Sequence, residues 1–242
     1  APPGPAARVA GLAIWPHSSS NHGMTQTPAR RRKRTPLSAE RIAAEAMALV
    51  DEAGLDGLSF RALGKRLGCE AMSLYHYYPS KAHLIDALVS LCLAETPVPP
   101  PGDAYRARMR EFCLRYRATV LRHPGFARVL VTHRLNHREG LAWLERVIRM
   151  MAESGLPPER GAAHFRVLSY YLTGAAIDEA MGYAAGPSAA EPVPAEEARR
   201  DFPGIMEMGA HFGKEHHLEF FETGLDLILD WHEAEIARHR AS

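Results

Sequence analysis

The chain has 242 residues, 46% hydrophobic and 24% charged, enough apolar material for one large or two modest domains with a real core. A formal net charge of +1 excludes a chain that binds nucleic acid by bulk positive charge alone. Three widely spaced cysteines (Cys69, Cys92, Cys113) without a CxxC pair argue against a disulfide framework or structural zinc site, and fit a reducing cytoplasm.

No run reaches the roughly 18 apolar residues of a membrane span, so no membrane partner is expected. The apolar segment from Val9 to Trp15 is short and has only Arg8 before it, a poor match to a secretory signal. Residues 1–23 read as a disordered extension or an over-called start, and Met24 stands where a natural start would. Arg30-Arg31-Arg32-Lys33-Arg34 then gather positive charge in one block. Residues 1–36 are therefore expected to form a disordered, basic extension.

The segment "LSAERIAAEAMALVDEAG" reads as a helix capped by Ser38, with Glu40 in its first turn and Gly54 as its stop. Ile42, Ala46, Leu49 and Val50 form its apolar face. Ser59 caps "FRALGKRLG", in which Phe60, Leu63 and Leu67 share a face and Gly68 turns the chain. A third short helix is predicted over residues 71–77, ended by Pro79. Ser80 caps a fourth, "KAHLIDALVSLCLAE", with Leu84, Ile85, Leu88, Leu91 and Cys92 inward. The prolines of "TPVPPPGD" (residues 96–103) make a loop or domain connection. Beyond it the periodicity stays helical, with stops at His123-Pro124-Gly125 and Gly155-Leu156-Pro157-Pro158. A loop is expected over residues 183–203, ahead of the last helix. No segment alternates as a strand does.

The stretch "AMSLYHYY" packs three tyrosines and a histidine into four positions, too many hydrogen-bonding rings for a core helix. Two short helices joined by a tight glycine turn, the second presenting polar rings, make a helix-turn-helix pattern. Ala71 and Ser73 are small enough for close approach to base edges, and Leu74 points back to the core. Tyr75, His76 and Tyr77 reach phosphates or bases. Spacing alone also permits a helical hairpin whose tyrosines pack on the next domain.

"GLDGLSFRALGKRLGCEAMSLYHYYPSKAHLIDAL" closely resembles the DNA-binding domain of the tetracycline-repressor (TetR) family, over residues 37–95. The remainder resembles the tetracycline-type subgroup more loosely, in "MMAESGL", "YYLTGAAIDEA" and "FFETGLDLILD". The resemblance implies an all-α fold: an N-terminal three-helix helix-turn-helix DNA-binding domain (37–95) and a larger helical ligand-binding and dimerisation domain (103–242). It places Ser59 and Arg61 on phosphate or a base edge, and Ala71, Met72, Ser73 and His76 at base readout. It places Tyr75, Tyr77 and Lys81 on the DNA backbone. Lys81 stands in the first turn of a helix, where amides and a cation together suit a phosphate. Arg34 and its basic block lie in the adjacent minor groove or along phosphates, a plain solubility tail being the alternative. No arginine, asparagine or glutamine opens the reading helix, so the usual bidentate base contacts are missing. Met72 and Ala71 favour thymine methyls instead.

The resemblance further implies a homodimer on a two-fold symmetric double-stranded operator. In "LEFFETGLDLILDWHEAEI", Leu218, Phe221, Leu225 and Ile228 make one stripe, and Phe220, Leu227 and Trp231 a second. Two apolar faces point to a partner chain as well as the chain's own core. Leu168, Leu172, Phe221, Leu225 and Ile228 are the expected interface. A pocket for a small-molecule effector is expected among His133, Trp143, Val147, Met150, Phe165, Ser169 and Asp178, mostly apolar with a few polar groups. The histidine by which tetracycline repressors hold magnesium falls on Leu130, and their nearby glutamate on Asp178, so tetracycline is not the expected effector. His211, His216 and His217 do not converge on one helix face, and neither a metal nor another cofactor is expected. No GxSxG, HExxH, Walker loop or dinucleotide fingerprint supports an enzyme. The expected function is a cytoplasmic, ligand-responsive repressor released by a small, largely apolar effector. The alternative is a DNA-binding activator or architectural protein without a pocket.

Overall fold

Three serine caps set the first helices of the computed structural model, which describes residues 36–102, 104–182 and 190–242. Leu37–Ser242 form one compact unit. Helix α1 (Ala39–Gly57) starts at Ser38, whose hydroxyl accepts from the Arg41 amide at 3.2 Å. Gly54 (φ 71°, ψ 173°) breaks it where the sequence predicts a stop, but one further turn runs on to Gly57. Helix α2 (Phe60–Leu67) starts at Ser59, which accepts from Ala62 N at 3.1 Å. It ends at Gly68, whose φ of 69° is left-handed and suits glycine.

Helix α3 (Ala71–Tyr75) is shorter than the predicted 71–77. The amides of Tyr77 and Tyr78 both turn back to the Leu74 carbonyl at 3.0 Å, so the chain tightens early, ahead of Pro79. Helix α4 (Lys81–Ala94) is capped by the Ser80 hydroxyl, which accepts from His83 N at 3.4 Å. Ile42, Ala46, Val50, Leu63, Leu74, Leu84 and Leu88 close the core of this head, each worth roughly 1.5–3 kcal/mol if large and fully buried. The inner face of α4 continues through Val89, Cys92 and Leu93 into the next part of the core. The helix is thus shared by both.

Five helices and their connections build that second part: α5 (Tyr105–Arg122), α6 (Ala127–Thr132), α7 (Arg138–Ala152), α8 (Pro158–Ala180) and, last, α11 (His217–Ala241). Pro158 opens α8 instead of merely stopping the chain, because a first-turn proline has no amide to satisfy. The loop expected over residues 183–203 is corrected in part. Two short helices lie within and beyond it, α9 (Ala195–Asp201) and α10 (Pro203–Gly209). Glu196 and Glu197 in the first turn of α9 and Arg199 and Arg200 in its last complement the helix dipole, a charge order that outweighs the loop-like composition. The described residues include no β-strand.

Candidate functional site

The reading surface of the head is built by α2 and α3. Leu74 is fully buried while Met72, two residues earlier, is 71% exposed, so the short helix offers its opposite side outward. Ser59, Arg61, Tyr75 and His76 are exposed beside it, and Ala71 and Ser73 are half-buried. The Tyr75 ring leans on Phe60, with centroids 4.4 Å apart. The Tyr77 hydroxyl donates to the Leu37 carbonyl at 3.0 Å, and Tyr78 donates to Ala39 at 2.9 Å. Lys81 Nζ donates to the Leu55 carbonyl at 3.2 Å. Tyr77 and Lys81 are therefore held at the surface on the head's own backbone. Arg34 lies outside the described residues.

Contacts besides α4 itself join the head to the second part. His123, at the end of α5, brings Nδ1 to 2.9 Å from Asp51 Oδ2 on α1. Trp143 Nε1 on α7 donates to the Thr96 carbonyl, just past α4, at 2.8 Å. The Thr96 and Thr119 hydroxyls lie 2.8 Å apart beneath it.

A cavity of about 620 Å3 opens between α5, α6, α7 and α8. It is walled mainly by apolar and aromatic side chains, among them Phe112, Leu130, Trp143, Val147 and Phe165. Arg134, Arg166 and Tyr170 stand at its exposed rim. Burial pushes the Tyr116 phenol up to about 12, so this wall residue presents a neutral hydroxyl. Five of the expected lining residues meet here: His133, Trp143, Val147, Phe165 and Ser169. Two do not. Trp143, Val147 and Met151 follow one another at intervals of four along the wall face of α7, and Met150 turns off that face into the core. Asp178 lies beyond the end of the cavity on α8, in a separate hollow with Tyr171, Glu179 and Phe220.

Sequence reasoning overlooked Asp86 and His137. His133 Nε2 donates to Asp86 Oδ1 on α4 at 2.7 Å, so a cavity wall residue holds the helix that enters the head. His137 Nε2 reaches Ser90 Oγ on the same helix at 3.1 Å. The spacing His133-x3-His137 was the available signal. The described residues place His211, His216 and His217 in no comparable cluster.

The interface residues expected from the sequence need correction. Leu168 and Leu172 face the cavity, because they share the α8 face of Phe165 and Ser169. Phe221 and Leu225 are 2% and 0% exposed and belong to the chain's own core with Leu229 and Ile236. Ile228 is partly buried against that core. The second stripe of α11, Phe220, Leu227 (67% exposed) and Trp231, is the outward one, joined by Leu218 from the first and flanked on α8 by Val167 and Tyr170.

Residues 42–88 match the profile described as "Bacterial regulatory proteins, tetR family", and residues 97–235 match "Tetracyclin repressor-like, C-terminal domain". The chain belongs to the tetracycline-repressor (TetR) family. Among relatives of this TetR-family chain, the class D tetracycline repressor protein of Escherichia coli is 28% identical over 146 residues, 59% of this chain and 66% of that protein. The match thus spans just under two thirds of that repressor. The HTH-type transcriptional repressor Rv1353c of Mycobacterium tuberculosis is 26% identical over 223 residues, 86% and 85% of the two chains. The solved structure of ActR from Streptomyces coelicolor in complex with actinorhodin superposes with a TM-score of 0.66 at 25% identity, covering 84% of this chain and 99% of that one.

Proposed function

We propose that this TetR-family chain is a cytoplasmic, ligand-responsive transcriptional repressor, a homodimer on a near-palindromic double-stranded operator, released by a small, largely apolar effector. The observation that carries this reading is the position of α4. Its first residues close the reading head, its Leu93 lines the cavity, and Thr96 just past its end holds Trp143 in the cavity wall. A ligand that repacks that wall acts on the helix carrying the head, and it changes operator affinity to the extent that it binds the two arrangements unequally. The cavity's size and apolar lining fit a small organic ligand. Leu130 in the cavity wall, where the family resemblance puts a magnesium-binding histidine, speaks against tetracycline.

The exposed stripe of α11 and the flank of α8 supply the apolar surface a dimer needs. Dimerisation sets two α3 helices at the spacing of successive major grooves, about 34–36 Å apart. None of the helices searched is long and apolar enough to cross a membrane. Repeated selection from a pool of random-sequence duplexes tests the reading. Enrichment of a near-palindromic sequence bound by two chains is expected, and a pool that stays random after selection overturns it.

A further inference from the structure

We propose that Asp86, His133 and His137 form a binding site for a divalent first-row transition ion of the zinc type. The site links α4 to the connection between α6 and α7. One carboxylate oxygen and one nitrogen from each ring lie within 4.8 Å of one another. The pairs are 2.7 Å (His133 Nε2 to Asp86 Oδ1) and 3.9 Å (His137 Nδ1 to the same oxygen). Donor atoms bound to one zinc ion at about 2 Å stand roughly 3–3.5 Å apart, so small swings of the two rings complete the set. Two imidazoles and one carboxylate select zinc, nickel, cobalt or iron over magnesium, which demands oxygen ligands.

The hydrogen bonds around His137 point to a cation. The Ser90 hydroxyl donates its one proton to the Asp86 backbone carbonyl at 3.0 Å. Its oxygen must then accept from His137 Nε2–H at 3.1 Å, which leaves the lone pair on Nδ1. That Nδ1 is buried, has no hydrogen-bond partner among the described residues, and faces the Asp86 carboxylate. A lone pair and a carboxylate that face each other without a proton between them are two donors that a cation would satisfy together. Ser90 plays the part of the outer partner that fixes a ligating imidazole. Gly140 makes room for the ring, since a Cβ there would lie 2.8 Å from His137 Cε1. At His133 the ion replaces the proton now shared with Asp86, and the ring carries its own proton on Nδ1. Asp86 and His137 also line an outer groove of about 570 Å3, a route of entry from solvent, while His133 lines the effector cavity.

The test is ion binding to the purified full chain, stripped of metal, with Zn2+ competed against a chromophoric chelator and Co2+ read by its visible absorption. The wild type is expected to take one ion per chain at micromolar concentration, with Mg2+ failing to compete. His137→Ala and the isosteric Asp86→Asn should each weaken Zn2+ at least tenfold while the metal-free circular dichroism stays helical. A combined His211→Ala, His216→Ala and His217→Ala variant should bind as the wild type does. Absence of Zn2+ binding at 100 μM overturns the site. So does unchanged binding in Asp86→Asn, or loss of binding in the triple variant. None of these readouts involves DNA, so they stand apart from the repressor reading.

Discussion

In the head, polar groups stay at the surface and lean on nearby backbone: Tyr77 on Leu37, Tyr78 on Ala39, Lys81 on Leu55. In the second part the arrangement is reversed. His164, His232 and Arg108 are buried, and about 620 Å3 stays open among the helices. A surface that must match the fixed geometry of a duplex is served by short caps and a small, filled core. A wall that must adapt to a ligand is served by unfilled space, since a close-packed interior cannot move by small degrees. The two regions share α4, so the contrast runs along a single helix.

The largest effects expected concern the two stripes of α11. Leu225→Asp places a charge at a fully buried position and should cost about 4 kcal/mol or more, a large part of a domain's whole stability. Circular dichroism should show an unfolded or aggregated chain. Leu227→Glu changes an exposed position and should leave the helices intact. It should nonetheless yield a monomer by light scattering and lower affinity for a selected operator at least about 100-fold, the avidity lost with the second head. A dimer that survives Leu227→Glu unchanged would move the interface off this stripe.

Next comes the buried histidine pair. His232 stacks on His164 with centroids 4.2 Å apart, and burial lowers its pKa to about 4. Burial lowers His164 as well, with Glu235 opposing and Arg160 adding to the shift. A lowered folded-state pKa means that the unfolded chain takes up the proton first. Stability is therefore complete above about pH 6.5 and falls as the pH drops toward 4, by at most about 3 kcal/mol from His232. Urea titrations across that window measure the slope, and His232→Phe should flatten it. An unchanged slope in the variant assigns the acid sensitivity to other groups.

Back in the head, Ser59→Ala removes the cap of α2 and should cost about 1 kcal/mol. That corresponds to a fall in melting temperature of roughly 2–4 °C for a chain of this size. A larger loss would show that the head is less independent of the cavity-bearing part than its local caps imply.

Those same caps explain how much was legible in the sequence. Ser38, Ser59, Ser80 and Gly68 act within a few residues of themselves, so the head's helices could be placed from short segments alone. The cavity is assembled by helices far apart in the sequence, and Trp143, Val147, Phe165 and Ser169 were still identified because α7 and α8 each keep a periodic face. What failed was the choice between faces. Phe165 and Leu168 lie on one side of α8, and only packing tells that this side is inward. The stripes of α11 pose the same ambiguity, and Phe221 and Leu225 were assigned to the wrong one. Asp86 and His133 are 47 residues apart and meet through a tertiary contact that no local pattern encodes.

The smallest effects should come from single contacts on the reading surface, where two substitutions separate grip from readout. Lys81 donates to a backbone carbonyl in the free protein, at an exposed helix start, so it can swing to a phosphate at little cost. Lys81→Ala should weaken binding to matched and mismatched duplexes alike, by a few-fold at moderate salt. It should reduce the slope of log affinity against log salt by about one unit, the release of one phosphate's counterions. Met72 carries no charge and is more exposed than Tyr75 or Tyr77, so Met72→Ala should leave the salt slope alone. It should instead change the preference at one base pair by about 1 kcal/mol, the low end for a base contact. Anisotropy titrations at three salt concentrations on matched and singly mismatched duplexes resolve both. A Met72→Ala protein with an altered salt slope, or a Lys81→Ala protein with altered base preference, would reverse the two roles on the same surface.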